Sequence, residues 1–373
     1  MKSFQVGLAS VSLLAAIPMG AQGARSVDLT INNVGISIGD SRRVTGLRLN
    51  YRDRDMREVQ GINATIWMPY HDSRGYVRGI ALGLPATGAR QIDGIAAGIV
   101  GIGAERSITG IAVGGIGMGV GEDMNGLALG GIGLGAGRDM VGIAAGGIGL
   151  GIGNDMRGLG VGGIGLGVGR DMKGILIGGI GAGIGGDLKG LAVGGIGIGS
   201  GGNATGILIG GVGAGVGGDL KGLSIAGVGV GSGGRVTGLT IAGVGLGAGG
   251  DVTGVQVAGI GIGSGGTLKW VSVAGAGIGA PRIEGLAVAA AVGGQDVRGL
   301  VIAPLYFRIT ERSGSMRGVN VSAWNNVRGT QQGLAIGLFN YARSLDGVQL
   351  GVLNYAGNKR HGKLLPLVNY SRD

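Results

Sequence analysis

The middle of the chain alternates apolar residues with glycine in a phrase of sixteen residues that repeats almost without drift. It reads GLALGGIGLGAGRDMV from Gly126, GIAAGGIGLGIGNDMR from Gly142, GLGVGGIGLGVGRDMK from Gly158 and GILIGGIGAGIGGDLK from Gly174, and continues to Lys269. Self-similarity at a fixed period means one structural unit stacked many times. Numbered from the first glycine, positions 2 and 4 are apolar, then 7, 9 and 11, then 15. Alternation at 2-4 and again at 7-9-11 is strand periodicity. The Gly-Gly pair at 5-6, Ala-Gly in later copies, shifts the phase by one residue and predicts a corner or bulge. Positions 12–14, such as Gly137-Arg138-Asp139, carry turn chemistry.

A helix is excluded, because each interior glycine costs about 1 kcal/mol relative to alanine. The uncharged run from Gly190 to Gly218 is long enough to span a bilayer, but it is about half glycine and carries Ser200, Asn203 and Thr205, which argues against a spanning helix. Two all-β architectures remain. The first is a β-solenoid of about 20 coils, with a 16-residue period in the centre and 14–16-residue coils at the ends. Its coils stack about 4.8 Å apart into a rod on the order of 90–100 Å long. Positions 2, 4, 7, 9, 11 and 15 then fill the interior, and glycines 6, 8 and 10 form a bare outer strip. The second is an outer-membrane β-barrel with one strand per phrase. Against it stand the phase break in mid-phrase, a lumen of glycine, and only one polar turn per phrase. The solenoid is the expected fold.

The organisation follows from where the phrase is strict. Residues 1–24 read as a signal peptide: Lys2, an apolar stretch from Val6 to Met19, and the small-x-small site Ala21-Gln22-Gly23. Residues 25–93 are a polar cap with degenerate repeats. The glycine-rich solenoid occupies 94–280, and shorter coils with returning aromatics occupy 281–373. Departure from consensus at both ends is what a capped stack needs.

Composition narrows the function classes. Of 373 residues, 95 are glycine and only six proline, without the every-third-residue spacing of collagen. Cysteine is absent, so thiol and disulfide chemistry are excluded. The formal charge of +10 sits mainly at the two ends, and no aromatic residue lies between Tyr76 and Trp270. With no stacking platform in the middle, the basic residues read as solvation of the ends rather than a nucleic-acid site.

The chemistry-bearing candidates are few. Asp123, Asp139, Asp155, Asp171 and Asp187 recur every sixteen residues and would form a carboxylate column on stacked coils. Either the column binds calcium, or each Asp bonds its own backbone in a turn. Arg138, Arg170, Lys173 and Lys189 lie close enough in sequence to neutralise it. Gly163, Gly165 and Gly167 represent the glycine strip. It either relieves crowding or offers a flat interaction surface for self-association. The threonines do not fill one column, so an ice-binding array is not expected. Gly181, Gly183 and Gly186 match GxGxxG, and Gly357 to Lys363 matches GxxxxGK, but neither lies between a strand and a helix. His71 and His361 stand in opposite end regions. No enzyme is expected, and no cofactor is implied.

The C-terminal copies read GLAIGLFNYARSLD from Gly333, GVQLGVLNYAGNKRH from Gly347 and GKLLPLVNYSRD from Gly362, after the lead-in VSAWNNVRGTQQ at Val321–Gln332. This pattern resembles the short glycine-punctuated surface-repeat family of bacterial exported proteins, whose tandem phrases are of the type GVQLGLVNYA. The likeness covers Gly299 to Asp373 well and Gly46 to Asp93 loosely. In the central block a Gly-apolar-Gly pattern replaces Asn-Tyr. The resemblance implies a surface or envelope location, a repetitive β fold and no catalytic residues. The pairs Asn340-Tyr341, Asn354-Tyr355 and Asn369-Tyr370 are expected to stack as a terminal ladder. Taken together, the sequence predicts a non-enzymatic exported β-solenoid of the envelope or cell surface. An outer-membrane barrel or a membrane-associated protein is the alternative.

Overall fold

The computed structural model describes residues 26–69 and 75–372. The signal-peptide reading and the Tyr70-His71-Asp72 segment fall outside the described residues. The fold is all-β: a solenoid of about 19 turns with a period near sixteen residues. Each central coil contains one seven-residue strand and one four-residue strand, for example Met156–Gly162 and Gly165–Val168. Both pair parallel and in register with the same positions one phrase away: Met156 faces Met140 and Met172, and Leu166 faces Leu150 and Ala182. A barrel is thereby ruled out. Neighbouring strands are a whole phrase apart and parallel, and the apolar columns enclose a packed core instead of a lumen.

The interior differs from the sequence expectation in one respect. Positions 9, 11 and 15 do point inward, as Leu150, Ile152 and Met156 show. Positions 2, 4 and 7 do not; Ile143, Ile177 and Ile164 are among the exposed aliphatics. Their place is taken by position 3, a column of Ala112, Ala128, Ala144, Leu176, Ala192 and Leu208, each almost wholly buried. The reason is that the glycine pair at positions 5 and 6 causes no phase shift. Corners fall near positions 1, 6–7 and 12–13, and between them the inward positions alternate as 3 and 5, then 9 and 11, then 15. At position 1 the strand bends at a glycine with φ of 125° in Gly142 and 129° in Gly158, a conformation that side chains resist.

Core volume is conserved across columns. Where position 3 shrinks to Gly160, the side chains of Met156 and Leu166 occupy the space that a Cβ would take. Met124, Met140, Met156 and Met172 run as one fully buried column at position 15, and their flexible thioethers suit a core whose neighbouring column varies in size.

Both ends of the stack are closed. Ser26–Ile31 folds back antiparallel on Val34–Gly39 through Asn32-Asn33, whose φ values of 52° and 65° make a tight hairpin. Leu364–Ser371 pairs antiparallel with Phe339–Ala356. Antiparallel reversal stops the parallel ladder from offering the next coil a template. Two end coils exceed the expected 14–16 residues: Gly61 pairs with Gly79 and Gly299 with Gly318.

The inside-out assignment of positions 2 and 3 is testable. Ala144→Asp would bury an unpaired charge and should cost several kcal/mol. Ile143→Asp, on the neighbouring outward column, should cost clearly less than Ala144→Asp in chemical denaturation.

Candidate interaction surfaces

Because the inward columns are used up by the core, the chain's recognisable chemistry lies on the outside, as stripes parallel to the stack. Four stripes matter: the carboxylate column, the glycine ribbon, an aliphatic face and an Asn–aromatic terminus.

The carboxylates at position 14 do not bond their own backbone as a turn would require. The backbone ladder reverses at this corner. Arg138 N–H donates backward to Glu122 C=O, but Met140 N–H donates forward to Asp155 C=O. The N–H of residue 14 is left without a carbonyl, and the previous coil's carboxylate supplies the acceptor. Asp155 N–H donates to Asp139 Oδ1 at 3.1 Å, Asp187 N–H to Asp171 Oδ1 at 2.9 Å and Asn203 N–H to Asp187 Oδ1 at 2.8 Å. Asn203 continues the chain by accepting from Asp219 N–H at 2.9 Å. Each bond therefore runs between coils and not within a turn. Asp123 accepts from Arg138 at 2.9 Å and Asp155 from Arg170 at 3.3 Å, while Lys173 and Lys189 stand exposed at position 16. Among the described residues no group of three or more His, Asp or Glu side chains is placed to hold a metal ion.

These contacts hold the carboxyls acidic. The Arg170 hydrogen bond lowers Asp155 below the usual Asp value. The backbone N–H groups of Arg235 and Thr267 do the same for Asp219 and Asp251.

The glycine strip divides in two. A Cβ on Gly163, at position 6, would collide with the carbonyl oxygen of Gly147, so that glycine is needed for coils to approach. Gly165 and Gly167, at positions 8 and 10, face open space with nothing within 4 Å of an added Cβ. Gly135, Gly151, Gly183 and Gly199 in the same column of position 10 are likewise free of close contact. A shallow groove of about 820 Å³ runs along this ribbon, floored by Gly151, Gly167, Gly183 and Gly199.

The ribbon ends in aromatics. Register places Tyr306, Trp324 and Phe339 in the column of position 8, with ring centroids 6.4 and 6.1 Å apart. Tyr341 and Tyr355 stack at 5.1 Å. Asn340 falls in the inward column of position 9 and donates to Asn354 Oδ1 at 2.6 Å; Asn325, not singled out by the sequence, donates to Asn340 Oδ1 at 2.6 Å. The third pair leaves the column. Asn369 faces Gln349 and Tyr370 faces Val348, because the last strand runs antiparallel. Asn369 reaches the ladder only by donating to Asn354 C=O at 3.2 Å.

The sequence reading missed the aliphatic face altogether. Columns 2, 4 and 7 carry only Ile, Leu, Val and Ala from Ile111 to Ala276, and they lie outside. The signal that could have found it is the column at position 3. Its small residues sit at the parity of positions 9, 11 and 15, the only positions consistent with one inward face in an even-length coil.

The two nucleotide-like motifs stay as chance matches. Gly181 and Gly183 belong to the short strand Gly181–Ile184, and Gly357 to Lys363 connects two strands. The class defined by fold and surface is a capped, parallel β-solenoid with amphipathic outer stripes. No protein family, curated protein or solved structure matches the chain.

Two measurements check these stripes. Gly158→Ala, at positive φ and against Gly142 C=O, should destabilise by about 1–3 kcal/mol, whereas Gly167→Ala should be close to neutral in the same melt. For Asp155, Asp219 and Asp251, folded values lie below the unfolded value of about 3.9. Their contribution is therefore complete above that value and lost as pH falls through the lowered folded values. Thermal stability should hold from pH 7 to 5 and drop below about pH 4. Asp171→Ala should cost about 1 kcal/mol at neutral pH, and Asp171→Asn less, because an amide oxygen accepts the same N–H as Asn203 does.

Proposed function

We propose that this chain is a non-catalytic, exported β-solenoid of the bacterial envelope or cell surface, acting as a structural and interaction element. The observation that carries the reading is the outer surface: the same stripe chemistry recurs coil after coil over most of the rod, which suits an extended contact rather than a single reacting centre. The Asn-Tyr phrases of the last coils, with their resemblance to exported surface repeats, support the location. The absence of cysteine accords with it. The exposed aliphatic columns favour one second reading, peripheral membrane association through that face.

Fractionation of the native cell with N-terminal sequencing tests the proposal. The expected result is a chain beginning near Gly23 or Ala24, found in the envelope or at the surface. Recovery in the cytosol with Met1 to Gly20 intact would overturn it. Release from membranes only by detergent would favour the second reading.

A further inference from the structure

Building on the reading of this chain as an interaction element, we infer that the aliphatic face is a dimer interface: two copies pair through columns 2, 4 and 7 about a two-fold axis parallel to the stack. All-parallel sheets are normally covered on both faces. Here columns 2 and 4 on the outer face of the long strands, and column 7 at the corner beyond them, are uncovered, with Ile143, Ile164 and Ile180 exposed by 45%, 49% and 49%. At about 3.3 Å per residue and about 4.8 Å per coil, this bent surface from Ile111 to Ala276 follows about 16 Å of chain over about 50 Å of stack. That is about 800 Å², the area each partner contributes to a standard stable interface and more than the about 300–600 Å² patch of an ordinary monomer.

The occupant follows from lattice, charge and shape. The aliphatic rows repeat at the coil spacing, and another stack of the same coils presents matching grooves at that spacing. The Ile and Val that fill most of columns 4 and 7 are already stiff, so they lose little rotamer freedom on packing.

Position 16, bordering column 2, holds Arg157, Lys173, Lys189, Lys221 and Lys269 and no acidic residue from Asn125 to Lys269. An antiparallel pairing would set these basic rows opposite each other. The two-fold along the stack sets each basic row opposite column 7 of the other copy, at the rim, and column 2 opposite column 4. Such an axis closes the assembly at two copies.

Trp270 supplies an independent mark. Every neighbouring coil has glycine at position 1, but Trp270 occupies it at φ 84° and stands 66% exposed. A bulky residue at positive φ is strained and points to a function outside the coil. Under the proposed axis it lies at the rim, between its own copy's basic row and column 2. Tryptophan is enriched among the residues that anchor protein interfaces.

The test uses the full chain in sedimentation equilibrium, with a nitroxide on Thr45→Cys reporting orientation. Wild type should dimerise, and the two labels at the same end of the pair should lie within about 40 Å; antiparallel rods of about 90 Å would separate them much further. Ile148→Lys with Ile164→Lys and Ile180→Lys should raise the dimer dissociation constant at least 100-fold. Trp270→Gly should raise it at least tenfold while leaving the thermal midpoint of the monomer equal or higher, an outcome that a merely structural role would reverse. Gly151→Ser with Gly167→Ser and Gly183→Ser, on the ribbon, should leave dimerisation unchanged. A monomeric wild type, a dimer indifferent to the isoleucine changes, long label distances, or a monomer that binds phosphatidylethanolamine–phosphatidylglycerol vesicles through this face would each overturn the inference. A chain that is exported yet monomeric would refute the pairing alone and leave the proposed function standing.

Discussion

The constraint on which the structure depends is the close approach of successive coils at their corners. Parallel in-register stacking brings like positions within hydrogen-bonding range, so whatever one coil carries at a corner meets its own copy in the next. At positions 1, 6 and 12 that copy is a backbone carbonyl, and a Cβ on Gly158, Gly163 or Gly169 would collide with it. The corner glycines are therefore a condition of stacking. The other regularities follow. In-register pairing holds each inward position over its own copy, so each core column can be filled independently. The 16-residue period persists because an odd insertion within a side would turn an entire column inside out.

The same logic explains why the ends look different from the middle. An apolar core in an open stack exposes its last layer, and polar plugs replace that layer here. At the N-terminal end the inward column of position 3 becomes Arg48 and Asn63. Arg48 is fully buried, paired with Asp53 and donating to Asn63 Oδ1 at 2.8 Å and Ser41 C=O at 3.0 Å. At the C-terminal end the inward columns become the Asn325–Asn340–Asn354 ladder, with Gln349 donating to Gln331 at 3.0 Å. Such side chains need specific partners, so an apolar coil from another molecule cannot add to the stack without leaving polar groups unsatisfied. The hairpin and the antiparallel last strand block the backbone, and the plugs block the core.

How much of this was legible from sequence depended on the residue types. The repeat, the solenoid and the turn chemistry at 12–14 could be read because a period needs no knowledge of direction. The interior could not, because glycine at 5, 6, 8 and 10 has no side chain to mark a face, and position 3 varies among Ala, Gly, Leu, Ser, Thr and Gln, which signals neither inside nor outside. The large aliphatics at 2 and 4 then looked like core, although Ile143 faces out and Ala144 faces in. The Asp column was visible as a column, yet its bonding depended on a reversal of the ladder at Met140 that no side-chain pattern encodes. The Asn-Tyr repeat was legible for two copies. The third was lost because the direction of the last strand is set by capping.

The chain thus uses one residue for two purposes that sequence alone cannot separate. Glycine at 1, 6 and 12 answers an internal clash. In the central coils glycine at 8 and 10 answers none, yet column 10 keeps it from Gly88 to Gly293 before Arg308, Asn326 and Tyr341 take over in register. Position 8 becomes aromatic at Trp324 and Phe339, in the coils where position 9 becomes Asn325 and Asn340. Local folding does not require that coincidence, since an outward aromatic and an inward asparagine occupy different faces of the strand. It means the rod is differentiated along its length as well as around it. The long middle presents backbone and aliphatic rows of uniform pitch, suited to lateral packing. The C-terminal coils present rings and amides, suited to a contact of another kind.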